Sequence, residues 1–325
     1  MKILANDGIS KSGKLALEDK GFTVDTTHVA QEQLANYLNK NNIEVLLVRS
    51  ATKVRQDLID ATQLKIIGRG GVGLDNIDVD YAKSKGIEVI NTPASSSISV
   101  AEFVFAHLFG IVRNLHQANR TMPLEGDSNF NGLKKAYGKA YELRGKTIGI
   151  IGFGRIGVEV ARIAIGMGMK VVIYDKKEKN KAVKLQFFDG QSHTFNLETS
   201  SMDQLLSTAD FISIHVPSQK GYVIGRKEIE KMKEGVVIIN TARGGVLDER
   251  ALVDAIETGK VLGAALDVFE NEPLPEMGLL MNESLSLSPH IAGSTIEAQD
   301  RIGAELAEQI IQIYNFCLLY TSDAA

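Results

Sequence analysis

The sequence predicts an α/β protein built from two doubly wound parallel sheets. Three observations point there. Short β-branched runs alternate with amphipathic segments along most of the chain, the alternation restarts at Thr147, and 325 residues make about two domains. Parallel strands need a crossover between them, and an interposed helix supplies it with a right-handed turn.

Taken in order, Lys2–Asn6, Thr23–His28, Glu44–Ser50, Leu64–Gly68 and Glu88–Thr92 are apolar runs of strand length. Between them, segments such as Lys11–Lys20 and Gln31–Lys40 place apolar residues three and four apart, the spacing of one helix face. Five such units fit a flavodoxin-like domain. Ile98–Asn119 then reads as one long helix, followed by a Gly- and Asn-containing stretch to Tyr141. The second alternation supplies Thr147–Ile151, Lys170–Asp175, Phe211–Val216, Val236–Asn240, Gly263–Asp267 and Leu285–Ser288, enough for a six-stranded Rossmann sheet. Within it, Asp189-Gly190 lies between the alternating runs of Lys184–Thr199 and predicts a hairpin. A last helix spans about Ser294–Phe316. The remaining Cys317–Ala325 neither caps nor continues it and reads as a non-native tail. The expected division is residues 1–97 with 294–316 as a discontinuous substrate-binding domain, 98–293 as a dinucleotide-binding domain, and 317–325 outside both.

Composition narrows the function. Lys+Arg 36 against Asp+Glu 40 gives a formal net charge of -4, so a broad nucleic-acid-binding surface is not expected. No apolar run approaches the roughly 20 residues of a membrane span, and the start MKILANDGIS lacks a basic, then apolar, leader. A cytoplasmic protein is expected. Cys317 is the only cysteine, which excludes an internal disulfide framework and a multi-cysteine zinc site; no metal is expected.

Gly152-Phe153-Gly154-Arg155-Ile156-Gly157 follows a strand and opens a helical run, Val158–Ala164. Glycines at this spacing alone are weak evidence, but here each has a task. Gly152 permits a tight turn, Gly154 lets a pyrophosphate approach the backbone, and Gly157 allows helix and strand to pack closely. The helix start then offers free N–H groups and positive dipole to phosphates. The next strand ends in Asp175, whose carboxylate suits ribose hydroxyls and repels a 2′-phosphate. That predicts NAD, although Lys176 and Lys177 leave NADP open.

Three later strands end in polar residues of chemical interest: Arg243 within Thr241–Gly245, Glu272 within Val268–Pro273, and His290 within Pro289–Ser294. In a parallel sheet all strand C-termini share one edge, so these side chains can converge despite their separation in sequence. Taken singly, each also has a plain structural explanation as an ion-pair partner, a solvated carboxylate or a buried imidazole.

In order along the chain come VRSAT (Val48–Thr52), GRGGVGLDNID (Gly68–Asp78), NTP (Asn91–Pro93), Ala101-Glu102, GFGRIG, NTARGG (Asn240–Gly245), ALDVFENEP (Ala265–Pro273) and SPHIAGST (Ser288–Thr295). This set resembles the D-2-hydroxyacid dehydrogenase family over about Met1–Tyr314. The resemblance implies oxidation of a 2-hydroxy acid, with hydride passing from C2 to a nicotinamide. It assigns the catalytic arginine, glutamate and histidine to Arg243, Glu272 and His290. A histidine suits transfer of the hydroxyl proton. Glu272 would orient its ring and favour imidazolium, and the planar fork of Arg243 suits the substrate carboxylate. By the same resemblance Asp267 contacts the nicotinamide carboxamide, Arg155, Ile156, Thr241 and Ala242 line the cofactor, Val216-Pro217 pass near the adenosine, and Gly293 closes the site.

The first domain would contribute Arg49, Ser50, Asn91 and an anion nest of backbone N–H groups from Gly70, Gly71, Val72 and Gly73. VRSAT and the glycine loop favour the branch that acts on 3-phosphoglycerate, at the entry to serine biosynthesis. A phosphorylated small-molecule substrate and a homodimer are therefore expected. A glyoxylate or hydroxypyruvate reductase, or a D-lactate dehydrogenase, shares the same three catalytic residues. More remote is an NAD-sensing corepressor. Three features depart from the family pattern: Val72 where many members carry threonine, the long β-like Lys184–Thr199, and no serine-binding regulatory domain after the core.

Overall fold

The computed structural model describes residues 1–322, with side chains through residue 315. The chain divides into two compact units, residues 1–97 with 293–325 and residues 98–292, so the boundary falls at Ala292/Gly293, one residue before the expected one.

The first unit is built on β1 (Lys2–Ala5), α1 (Lys11–Glu18), β2 (Thr23–Asp25), α2 (Leu34–Lys40), β3 (Val45–Val48), α3 (Gln56–Asp60), β4 (Ile66–Arg69), α4 (Val79–Ser84) and β5 (Glu88–Asn91). Its five parallel strands run in the order β2-β1-β3-β4-β5, the flavodoxin-like arrangement. Every residue of β3 is buried, as a central parallel strand covered on both faces requires.

The second unit starts with α5 (Ser97–Val112), α6 (Leu115–Glu125) and α7 (Phe130–Tyr137). Here the single long helix expected over Ile98–Asn119 is corrected. Asn114 adopts a left-handed φ of 54°, and α6 leaves at 55° to α5. An asparagine tolerates this conformation, so the break carries no glycine or proline to announce it. α5 buries Ala101, Val104, Phe105, Leu108, Ile111 and Val112, one helix face at three- and four-residue spacing.

Then follow β6 (Thr147–Ile151), α8 (Arg155–Gly166), β7 (Lys170–Tyr174), β8 (Asn180–Gln186), β9 (Ser192–Glu198), α9 (Met202–Thr208), β10 (Phe211–Ile214), α10 (Arg226–Glu230), β11 (Val236–Asn240), α11 (Glu249–Glu257), β12 (Val261–Leu266), α12 (Met277–Leu280) and β13 (Leu285–Leu287). Six strands pair in parallel in the order β13-β12-β11-β10-β6-β7, and β11 is wholly buried. β8 and β9 form a separate antiparallel hairpin, turned by Gly190 at φ 85° with Gln191 N–H on the Asp189 carboxylate. Phe188 stands fully exposed in the turn. The hairpin returns beside the edge strand β7 through a parallel bridge between Ile173 and Thr199.

Finally α13 (Ile296–Ser322) rejoins the first unit, where Ile302, Leu306, Ala307 and Ile310 complete the core around Ile3, Ala5 and Leu17. Its backbone stays helical six residues beyond the expected stop at Phe316, through Cys317 to Ser322; the rest of the tail segment, residues 323–325, lies outside the described residues. Among the described residues no single helix is long and apolar enough to cross a membrane.

Candidate active site

The strand β6 ends in the glycine turn, and the geometry there separates the three glycines. Gly152 has φ 95°, and a Cβ on it would meet the carbonyl carbon of His215 at 2.7 Å and Val216 Cγ1 at 3.1 Å. A Cβ on Gly157 would run into the Gly152 carbonyl oxygen, so α8 lies directly on the turn. Around Gly154 nothing stands within 4 Å of such an atom. That opening lies at the N-cap of α8, where no side chain caps the free N–H groups of Arg155, Ile156 and Gly157. A diphosphate fits this cradle.

Asp175 follows β7. Its Oδ2 accepts the Phe153 N–H at 2.7 Å, and its Oδ1 accepts those of Lys177 and Glu178 at 2.8 and 3.0 Å. Burial opposes its charge, but these three N–H groups and the nearby Lys181 outweigh it and hold the carboxyl below its ordinary value. A carboxylate has about four acceptor positions, so Oδ2 retains one for a ribose hydroxyl. Val216 touches the glycine turn, whereas Pro217 is exposed. Ala242 and Thr241 are buried, and the Thr241 hydroxyl has no partner among the described residues.

The second cluster forms at the ends of β11, β12 and β13. Asn240 shapes the first loop: its Oδ1 accepts the Ala242 N–H and its amide donates to the Arg243 carbonyl, at 3.1 and 3.0 Å. Arg243 Nη1 donates to the Ala242 carbonyl at 2.6 Å. A Cβ on Gly244 would collide with the Phe269 carbonyl, so this loop lies against the one that carries Glu272. Glu272 Oε1 accepts the Phe269 N–H at 3.0 Å, and Oε2 stands 2.9 Å from His290 Nδ1. Burial raises the Glu272 carboxyl, yet the His290 and Phe269 hydrogen bonds and the charges of His290 and Arg243 overcome it and leave the group below its ordinary value. Both partners of this pair keep solvent access, with side-chain exposures of 42% and 37%. The expected triad is thus together in one unit.

Asp267, which the resemblance puts against the nicotinamide, is fully buried. Its Oδ1 accepts from Ser288 Oγ at 2.6 Å and the Ile291 N–H at 2.9 Å, and its Oδ2 from the Ala292 N–H at 2.8 Å. It therefore holds the loop on both sides of His290, which sits between those contacts at a left-handed φ of 56°. Gly293, the expected closing residue, begins the segment that returns to the first unit.

In the first unit the strand-end residues form a polar cluster of their own. Asp7 fixes the backbone after β3: Oδ2 accepts the N–H groups of Arg49 and Thr52 at 2.7 and 3.1 Å. Asn76 donates to the Arg49 and Thr52 carbonyls, both at 2.7 Å. Only the Arg49 backbone is anchored in this way; its guanidinium has no ion-pair partner among the described residues, and Ser50 beside it is exposed. The nest expected at Gly70–Gly73 is narrower than its glycines imply. Gly70 N–H is spent on the Val48 carbonyl and Gly71 N–H on Arg69, which leaves those of Val72 and Gly73. Asn91 donates to the Val72 carbonyl at 2.8 Å and so braces this loop. Sequence reasoning missed Arg69, which closes β4 between Val48 and Asn91. It also missed Asp7 and Asn76, whose only signal was their place just after strands or turns.

Residues 105–292 match the family model for the D-isomer specific 2-hydroxyacid dehydrogenase, NAD binding domain. The chain belongs to the D-isomer-specific 2-hydroxyacid dehydrogenases. This dehydrogenase is 41% identical over 318 residues to the hydroxypyruvate reductase of Thermotoga maritima, covering 96% of this chain and 97% of that one. It is 40% identical over 324 residues to the D-3-phosphoglycerate dehydrogenase of Archaeoglobus fulgidus, covering 96% of this chain but 57% of the relative. The dehydrogenase thus spans little more than half the length of that phosphoglycerate-oxidising relative. Among solved structures, a glyoxylate reductase from Paecilomyes thermophila superposes with a TM-score of 0.75 at 30% identity, over 95% and 93% of the two chains. The second unit of this dehydrogenase is the NAD-binding domain of the family.

Proposed function

We propose that this dehydrogenase oxidises D-3-phosphoglycerate to 3-phosphohydroxypyruvate with NAD, and runs in reverse as the corresponding reductase. Bound NAD supplies the acceptor for the hydride that leaves C2. The remaining work falls to the chain. His290 Nδ1–H donates to the anionic Glu272, so Nε2 is left as the acceptor for the hydroxyl proton. Glu272 then faces the imidazolium as a charge partner. Arg243 offers its donor fork to the substrate carboxylate. Asp175 engages the adenosine ribose, and the turn at Gly152–Gly157 the diphosphate.

The observation that carries the phosphate is Arg49: a cation anchored through its backbone by Asp7 and Asn76, yet with no acidic partner among the described residues. A charge-assisted hydrogen bond contributes about 1.5–3 kcal/mol, a preference of roughly 10- to 150-fold. Arg49→Met is expected to weaken 3-phosphohydroxypyruvate far more than hydroxypyruvate, with turnover at saturation retained. Equal losses for both substrates would remove Arg49 as the phosphate reader.

One observation favours hydroxypyruvate reductase instead: the Thermotoga maritima relative of that name matches this chain along its whole length. A panel of 2-hydroxy and 2-oxo acids, followed by nicotinamide absorbance, separates the two readings. The proposal also includes a place in serine biosynthesis, a cytoplasmic location and a homodimer. Leu115, Leu124 and Phe130 leave apolar surface exposed on α6 and α7, which supports the dimer, and light scattering tests it.

A further inference from the structure

α5 is an apolar helix, but one of its inward positions is His107, only 7% exposed. The imidazole packs edge-on against Phe103 and is bonded at both nitrogens: Nδ1 to Ser286 Oγ at 2.8 Å and Nε2 to Ser288 Oγ at 3.0 Å. Donor arithmetic fixes the direction of these bonds. Ser288 spends its single proton on Asp267, which as a carboxylate only accepts. Ser288 Oγ must therefore accept from His107 Nε2–H, and Nδ1 must accept from the Ser286 hydroxyl. The result is one directed chain, Ser286 to His107 to Ser288 to Asp267. It ends on the carboxylate that holds both flanks of His290. The ring stays neutral: burial lowers its pKa, the charge of Asp267 opposes that, and His116 adds to it.

We propose that His107 is a positioning residue of the reaction, acting through Ser288 and Asp267 to hold the loop that presents His290. The inference rests on the acid–base reading of His290. An apolar residue at position 107 would fill the space but leave Ser288 without its donor, free to turn away from Asp267. The left-handed backbone at His290 is a conformation that persists only when its surroundings over-determine it, and this chain is part of those surroundings.

The test compares His107→Leu, His107→Gln, Ser288→Ala and the double variant His107→Leu/Ser288→Ala, each checked for folding by circular dichroism and thermal melting. In His107→Leu, kcat should fall roughly ten- to a hundredfold, as for a modest misplacement of a reacting group, with substrate KM nearly unchanged. His107→Gln, whose amide can again donate to Ser288, should recover most of the loss. The double variant should be no worse than Ser288→Ala, because both act along one path. In the native protein, nitrogen-15 imidazole spectra should show one histidine locked in the Nε2–H form through neutral pH. A folded His107→Leu protein with native kcat would overturn the inference, as would losses that multiply in the double variant. His290→Ala separates it from the reading beneath it: retained turnover there would overturn both, whereas an inactive His290→Ala beside a native-like His107→Leu would overturn only the positioning role.

Discussion

Glu249 and Glu270 exchange hydrogen bonds: the Glu249 carboxylate accepts the Glu270 N–H at 2.7 Å, and the Glu270 carboxylate accepts the Glu249 N–H at 3.3 Å. The exchange ties the start of α11 to the loop that carries Glu272. It also keeps Glu249 inside the protein at 8% exposure.

The cost of that burial is readable as a pH dependence. Burial first, then the charges of Glu270, Glu276 and Glu272, push the Glu249 carboxyl from its ordinary 4.5 to about 7, against the pull of the Glu270 N–H. Between these values the folded protein holds a proton that the unfolded chain releases, so stability falls as pH rises through that window. Glu249→Gln keeps an acceptor for Glu270 without the charge. Its melting temperature should match the native one in acid, gain on it from about pH 4.5 to 7, and keep the gain above. Parallel melting curves across that range would refute the assignment.

For the catalytic pair, His290→Ala should lower turnover by roughly 10²–10⁴ while folding and NAD binding persist. Glu272→Gln should lower it less, because the His290 ring keeps a hydrogen-bond acceptor at Nδ1 but loses its anionic partner. Steady-state kinetics decides this, and near-native turnover in His290→Ala would end the mechanism.

Asp175→Ala should reduce the preference for NAD over NADP, chiefly through poorer use of NAD. The same substitution frees the N–H groups of Phe153, Lys177 and Glu178. A thermal melt therefore accompanies the kinetics, and an unmodified enzyme that preferred NADP would refute the role.

The glycine turn gives a paired test. Gly152→Ala must strain a φ of 95° and displace the chain at His215, so about 1–3 kcal/mol of stability should be lost together with NADH affinity. Gly154→Ala meets nothing within 4 Å and should melt as the native protein does, yet bind NADH more weakly. Fluorescence titration reads both; unchanged NADH affinity in Gly154→Ala would place the diphosphate elsewhere.

What the sequence made legible follows from the range over which each signal acts. The strands of both sheets could be read because fully buried parallel strands are continuous β-branched runs, and the hairpin because Asp189-Gly190 is a local turn signal. Arg243, Glu272 and His290 stood out because each follows a strand end, where one edge gathers distant residues. Asn114 did not stand out, since its left-handed backbone depends on packing and not on residue type. His107 was invisible for a stronger reason: its partners lie 179 and 181 residues away, and a lone histidine on an apolar helix carries no mark of them.

The hairpin β8–β9 also bears on how copies of this protein coexist in solution. β7 is the last strand of its sheet, and a bare parallel edge is a template on which another chain can add a strand. Thr199 bridges to Ile173 where the hairpin returns, and Ser200 takes up the Ile173 carbonyl with both its N–H and its hydroxyl, at 2.8 and 3.0 Å. The chain leaving the hairpin thereby occupies the β7 edge at Ile173, a position where another strand could otherwise add.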